Sequence, residues 1–138
     1  MGDKIELACI IDDDSVYVRL IKRIIKAKHL CKNVLVFENG KEALVYFETI
    51  LQNIEEQRIP EIIFLDLNMP MMDGWEFMEE FTKIKNQFNK IITLYIVSSS
   101  INPADINKAK SLNGVTDYLI KPVTIKDLES IFGAIENK

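Results

Sequence analysis

Ile62-Ile63-Phe64-Leu65-Asp66-Leu67-Asn68-Met69-Pro70-Met71-Met72-Asp73-Gly74 begins with four apolar residues and turns polar at an aspartate. A short apolar run without in-and-out alternation suits a strand buried on both faces, as in a parallel sheet. The same signature recurs on either side, at Leu7–Ile11, 93–97 and 118–120, with a fifth candidate at Asn33–Phe37. Between these runs the apolar residues take helical spacing. In the first such stretch Val16, Leu20, Ile24 and Ala27 form one face, and Arg19, Lys22, Arg23 and Lys26 line another. Ala43, Leu44, Phe47, Leu51 and Ile54 mark the second stretch; Phe77, Met78, Phe81 and Ile84 the third. Ile106, Ala109 and Leu112 mark a short fourth, and Leu128, Ile131, Phe132 and Ile135 the last. Asp14 or Ser15 can cap the first helix, Asn102 before Pro103 can open the fourth, and Gly114 can stop it. Residues 52–60 are polar; composition fits either an extended second helix or a loop. Parallel strands need crossovers, which helices supply, so five β-α units predict an α/β fold with a parallel sheet.

The chain has 138 residues, 48% hydrophobic and 28% charged, a mix that excludes a disordered chain. At roughly 100–200 residues per domain, one domain is expected over 1–138, with its core at about 5–136. The net charge of −4 argues against a dedicated nucleic-acid binder. The charged start Met1-Gly2-Asp3-Lys4-Ile5-Glu6 lacks the apolar core of a signal peptide, and Glu6 stands where a myristoylation motif wants Ser or Thr. No apolar run approaches the roughly 18 residues of a membrane span, so a cytoplasmic chain without membrane partners is expected. Cys9 and Cys31 fit neither a CxxC redox pair nor a zinc site and read as buried or half-buried reduced thiols. His29 is the only histidine and closes the first helix; without a second, zinc and histidine phosphotransfer roles are disfavoured.

In open parallel sheets ligands gather beyond the carboxyl ends of the strands. The residues after each run therefore carry the chemistry: Asp12, Asp13 and Asp14; Asp66 and Asn68; Ser98, Ser99 and Ser100; Lys121 and Pro122. Clustered carboxylates repel and are costly to ionise without compensation, and Mg2+ takes oxygen ligands and shares phosphate oxygens. Asp12, Asp13 and Asp66 read together as a Mg2+ site, with Asp14 left as the helix cap. Beside such a cation one carboxylate can act as a nucleophile toward phosphorus. Lys121 and Ser98 are the candidates to hold phosphoryl oxygens. Met69, Met71 and Met72 read as loop packing, because the nearby donors are hard oxygens. Asp73-Gly74 reads as a turn.

These stretches, with Ile10-Ile11-Asp12-Asp13-Asp14, Val97-Ser98-Ser99 and Tyr118-Leu119-Ile120-Lys121-Pro122, resemble the receiver domain of two-component response regulators, in its chemotaxis-type single-domain form. The resemblance implies a flavodoxin-like sheet of strand order 2-1-3-4-5 with five helices. It implies that Asp66 is the phosphoacceptor and that Asp12 and Asp13 bind Mg2+ directly or through water. The backbone carbonyl of Asn68 would complete the metal shell, and its side chain would tune phosphoryl lifetime. Lys121 would pair with a phosphoryl oxygen, while Ser98 and Tyr118 would form the switch pair; residue alone, Tyr118 reads as a half-buried core aromatic. The Lys121–Pro122 peptide would be cis. Implied partners are a sensor histidine kinase or phosphotransfer protein and a downstream protein target, bound through the fourth helix, fifth strand and fifth helix. The first helix would border the kinase-docking surface. The domain would be mainly a signalling switch that catalyses its own phosphoryl transfer and dephosphorylation, and a stand-alone regulator is expected. Rival readings are a phosphorelay intermediate and an aspartyl-phosphate hydrolase; the latter wants an Asp two residues after the nucleophile, where Asn68 stands. Three features depart from the pattern: Val123 follows Pro122 where many relatives have Phe, Ser98 replaces the commoner Thr, and residues 52–60 are longer than in compact receivers.

Overall fold

The computed structural model describes residues 5–55 and 58–136. The strands are β1 (Leu7–Ile11), β2 (Asn33–Phe37), β3 (Ile62–Asp66), β4 (Thr93–Ser98) and β5 (Asp117–Ile120). The helices are α1 (Ser15–Ala27), α2 (Gly40–Leu51), α3 (Gly74–Ile84), α4 (Pro103–Ser111) and α5 (Ile125–Glu136), with a 3-10 turn at Lys85–Gln87 after α3. All strands are parallel, in the order β2-β1-β3-β4-β5, the flavodoxin-like arrangement. None of the described helices is long and apolar enough to cross a membrane.

The unbroken apolar runs are explained by two cores, one on each side of the sheet. Cys9, Ile11, Ile63, Leu65, Leu94 and Ile96 point to one side, where Phe47, Phe77, Phe81 and Phe88 form an aromatic cluster. Ala8, Ile10, Ile62, Phe64 and Val97 point to the other, against α1 and α5. Val123 is buried there, filling space with a smaller side chain than Phe.

The inward face of α1 corrects the sequence reading. Val18, Ile21 and Ile25 are the buried positions, whereas Val16 is 73% and Leu20 53% exposed. Both sets keep helical spacing; only packing decides which one meets the sheet. For α2 the buried set is Ala43, Leu44, Phe47 and Ile50, and Ile54 lies beyond the helix, 42% exposed. Segment 52–60 is not a continuation of α2, which ends at Leu51; of this segment 56–57 lie outside the described residues, as do residues 1–4 of the N-terminal stretch.

His29 does close α1, two residues past its end at Ala27, by backbone conformation. His29 has φ 52°, its N–H donates to the Lys26 carbonyl at 3.2 Å, and the Leu30 N–H donates to the Ile25 carbonyl at 3.0 Å. This is the left-handed closing motif that normally takes glycine. His29→Gly is expected to raise stability by about 0.5–1 kcal/mol, read as a higher urea midpoint with an unchanged slope.

Candidate acidic site at the sheet switch point

β1 and β3 are neighbours, but α1 leaves β1 toward one face of the sheet while α3 leaves β3 toward the other. The crevice between their carboxyl ends receives Asp12 and Asp66, both buried, with Asp13 beside them and exposed. Asp12 is anchored from both sides: its N–H donates to the Phe37 carbonyl at 2.9 Å, and its Oδ1 accepts from the Asp14 N–H at 2.9 Å. Asp14 itself caps α1, accepting from the Tyr17 N–H at 3.1 Å. Asp12, Asp13 and Asp66 each offer an oxygen within 4.8 Å of the others. Lys121 reaches in from the end of β5, with Nζ 2.9 Å from Asp12 Oδ2 and 3.7 Å from Asp66 Oδ2. The Lys121–Pro122 peptide is cis.

Burial pushes the Asp66 carboxyl up to about 6, helped by the Asp12 and Asp13 charges and opposed by Lys121 and a backbone hydrogen bond with Asn68. Burial alone would lower the Lys121 ammonium, but its hydrogen bond to Asp12 and the Asp12, Asp66 and Asp14 charges raise it instead. The oxygen-only donors, clustered and undercompensated by one ammonium, fit a hard divalent cation such as Mg2+.

The raised Asp66 carboxyl has a stability consequence with a defined sign. Between the ordinary carboxyl value of 3.8 and about 6 the folded state binds more protons than the unfolded one. The Asp66 contribution is therefore most favourable below about 4 and is lost as pH rises through about 6. In EDTA, Asp66→Asn is expected to be more stable than wild type by about 1–2 kcal/mol at pH 7.5, after allowance for solvent screening, with the gap closing by pH ~4.5. Urea unfolding at the two pH values checks this.

Ser98 follows directly on the Asp66–Val97 register pair and is fully buried. Its Oγ accepts from the Ser100 N–H at 3.1 Å, while the buried Tyr118 donates its hydroxyl to the Ser100 carbonyl at 2.9 Å. Ser100 Oγ in turn donates to Asp105 Oδ2 at 2.7 Å, in the first turn of α4. Ser98, Tyr118 and α4 are thus joined through one residue, which sequence reading named only as one of three serines. Asn68 is exposed two residues beyond Asp66.

Tyr17 escaped the sequence reading, and so did the packing role of Gly74. The Tyr17 ring lies under Lys121 Nζ at 4.5 Å, a cation-π contact that braces the ammonium. Burial and the surrounding aspartates raise its phenol. Gly74 is needed because an added Cβ would lie 2.8 Å from Leu67 Cα and against the Asp66 carbonyl. Asp73-Gly74 is thereby corrected from a turn to a helix start: Asp73 and Glu76 form a capping box, with reciprocal bonds of 2.9 and 3.1 Å. The Asp-x-x-Glu spacing was the signal available for it. Gly74→Ala is expected to cost about 2–3 kcal/mol, because backbone rather than a flexible side chain must move. Denaturation measures the loss. Of the three methionines, Met69 and Met72 pack on the core, whereas Met71 is 81% exposed at φ 67°.

Residues 8–132 match the family model described as the response regulator receiver domain. Rcp1 of Synechocystis is 27% identical over 128 residues, covering 93% of this chain and 84% of Rcp1. The Mn2+-bound structure of Rcp1 aligns at TM-score 0.69 and 25% identity, covering 95% of this chain and 91% of that one. A two-component response regulator from Cytophaga hutchinsonii aligns at TM-score 0.79 with 29% identity, covering 98% and 99%. The phosphorylated cyanobacterial phytochrome response regulator RcpA aligns at TM-score 0.70 with 28% identity, covering 95% and 91%.

Proposed function

Because the chain belongs to the response regulator receiver domain family, we propose that it is a phosphorylation switch that accepts a phosphoryl group on Asp66 from a histidine kinase or phosphotransfer protein. The observation that carries this reading is the convergence of Asp12, Asp13, Asp66 and Lys121, from three strand ends, into one partly buried acidic pocket.

In this reading an Asp66 carboxylate oxygen attacks phosphorus, the P–O bond forms, and the P–N bond of a phosphohistidine breaks. The leaving imidazole nitrogen keeps the bonding electron pair. Asp12, Asp13 and Asp66, with the Asn68 carbonyl, would hold Mg2+, which when bound offsets carboxylate charge and neutralises phosphoryl oxygens. The Mn2+-bound form of Rcp1 supports this assignment. Lys121 pairs with one phosphoryl oxygen and the Ser98 hydroxyl donates to another. Turning Ser98 Oγ toward the phosphoryl group gives up its bond from Ser100, the residue that also holds Tyr118 and Asp105. The face formed by α4, β5 and α5 then changes its affinity for a downstream protein.

Labelling with acetyl phosphate, with and without Mg2+, tests the assignment. Label that survives loss of the Asp66 carboxylate would overturn it.

A further inference from the structure

A cavity of about 630 Å3 opens between α1 and the start of β2; the recess of about 220 Å3 against Asp12 and Asp13 adjoins it and shares Arg19 and Lys22. Its rim carries Arg19, Lys22, Arg23, Lys26 and Lys32, its floor includes Ile25 and Val34, and no carboxylate among the described residues lines it. The chain is acidic overall, yet residues 15–37 hold six of its 17 Lys and Arg and none of its 21 Asp and Glu.

The four cations of α1 fall at helical spacings of three, four and seven residues, on one face along about 10 Å of axis. Like charges so placed repel by a few tenths of a kcal/mol per pair. Lys26 lies in the last turn, where the helix dipole favours a cation. That does not account for Arg19 or Lys22. Lys32 pairs with Glu6 at 3.5 Å, but no described carboxylate forms an ion pair with Arg19, Lys22, Arg23 or Lys26. The segment thus keeps a cationic face whose four α1 cations form no ion pair with a described carboxylate, above an apolar floor, and of the four only Arg19 and Lys22 border the recess that holds Asp12, Asp13 and Glu38.

We propose that this cleft binds a small ligand with an oligophosphate chain and an apolar ring, the chemistry of a nucleoside triphosphate. The volume falls within the roughly 300–1,000 Å3 typical of small-molecule sites. Arginine forks and lysine ammoniums suit a chain of phosphates, and the Ile25–Val34 floor takes the ring. A flat acidic protein surface would meet the side-chain tips and leave that recess unfilled. Asp66 does not line this cleft, and ATP binding and phosphoryl labelling are read separately, so failure of either assignment leaves the other standing.

Titration of the whole chain with ATP in EDTA, at about 0.15 M salt, tests the proposal, with tripolyphosphate and adenosine as comparison ligands. Saturable ATP binding is expected, with both fragments weaker. The Lys22→Gln/Arg23→Gln double variant should bind ATP at least about tenfold more weakly, and Lys22→Glu/Arg23→Glu more weakly still. A urea midpoint equal to that of wild type shows that the Gln variant is folded. No saturation by about 1 mM ATP, or unchanged affinity in the folded Gln variant, would overturn the site. Tripolyphosphate binding as tightly as ATP would overturn the ring-bearing ligand.

Discussion

Asp66→Asn should lose phosphoryl labelling to background, a fall of more than about 100-fold, while keeping its fold. An amide oxygen is a poor nucleophile toward phosphorus, and the neutral side chain also removes one of three negative charges from the pocket. The substitution is close to isosteric, so the Ser100 links to Ser98, Tyr118 and Asp105 need not change. Rates of acetyl phosphate labelling in Mg2+ measure the effect, and intact-mass analysis locates any residual phosphate. Wild-type-like labelling would place the acceptor elsewhere. Metal-free stability moves the other way, because removing a repelled carboxylate relieves strain that wild type carries at neutral pH.

Lys121→Met should do the reverse for stability while also impairing chemistry. The ammonium is the cation bonded to Asp12 and beside Asp66, and both carboxylates are buried. Removing one partner of such a group leaves the others uncompensated. A loss of about 2–3 kcal/mol is expected in EDTA, moderated because Lys121 is partly exposed and Asp66 can take up a proton. Mg2+ should recover part of it by supplying the missing positive charge. Phosphoryl labelling should fall roughly 100-fold, the usual cost of deleting one group that stabilises developing negative charge. Urea unfolding with EDTA and with Mg2+, beside labelling kinetics, separates the two effects. A metal-free variant as stable as wild type would mean that Lys121 does not compensate the pocket charge.

Strand positions were legible because residues buried on both faces leave unbroken apolar runs, as in β1 at Leu7–Ile11; the edge strand β2, only partly buried, still coincides with the apolar run Asn33–Phe37. The acids and the lysine were legible for a related reason. A polar residue directly after a buried run must emerge at the sheet edge, so Asp12, Asp66, Ser98 and Lys121 marked the rim before any distance was known. The α1 face was not legible. Val16, Leu20 and Ile24 satisfy the same periodicity as Val18, Ile21 and Ile25, and periodicity carries no information about which stripe the sheet will cover. Tyr17 was missed because its partner lies more than a hundred residues away. The linking role of Ser100 was missed because it rests on a carbonyl, an N–H and a hydroxyl engaging three different elements.

From the order of its residues alone, this chain determined alternating strands and helices and the chemical types delivered to one edge of a sheet. Local hydrophobicity and the short-range rules of caps and turns suffice for that. Tertiary structure decided that Asp12, Asp13 and Asp66 come within 4.8 Å, that Lys121 bonds to Asp12 at 2.9 Å, and that Ser100 joins Ser98 to Tyr118. Those distances arise from parallel pairing of strands far apart in sequence, and the raised Asp66 carboxyl exists only once that pairing has taken its neighbours out of water.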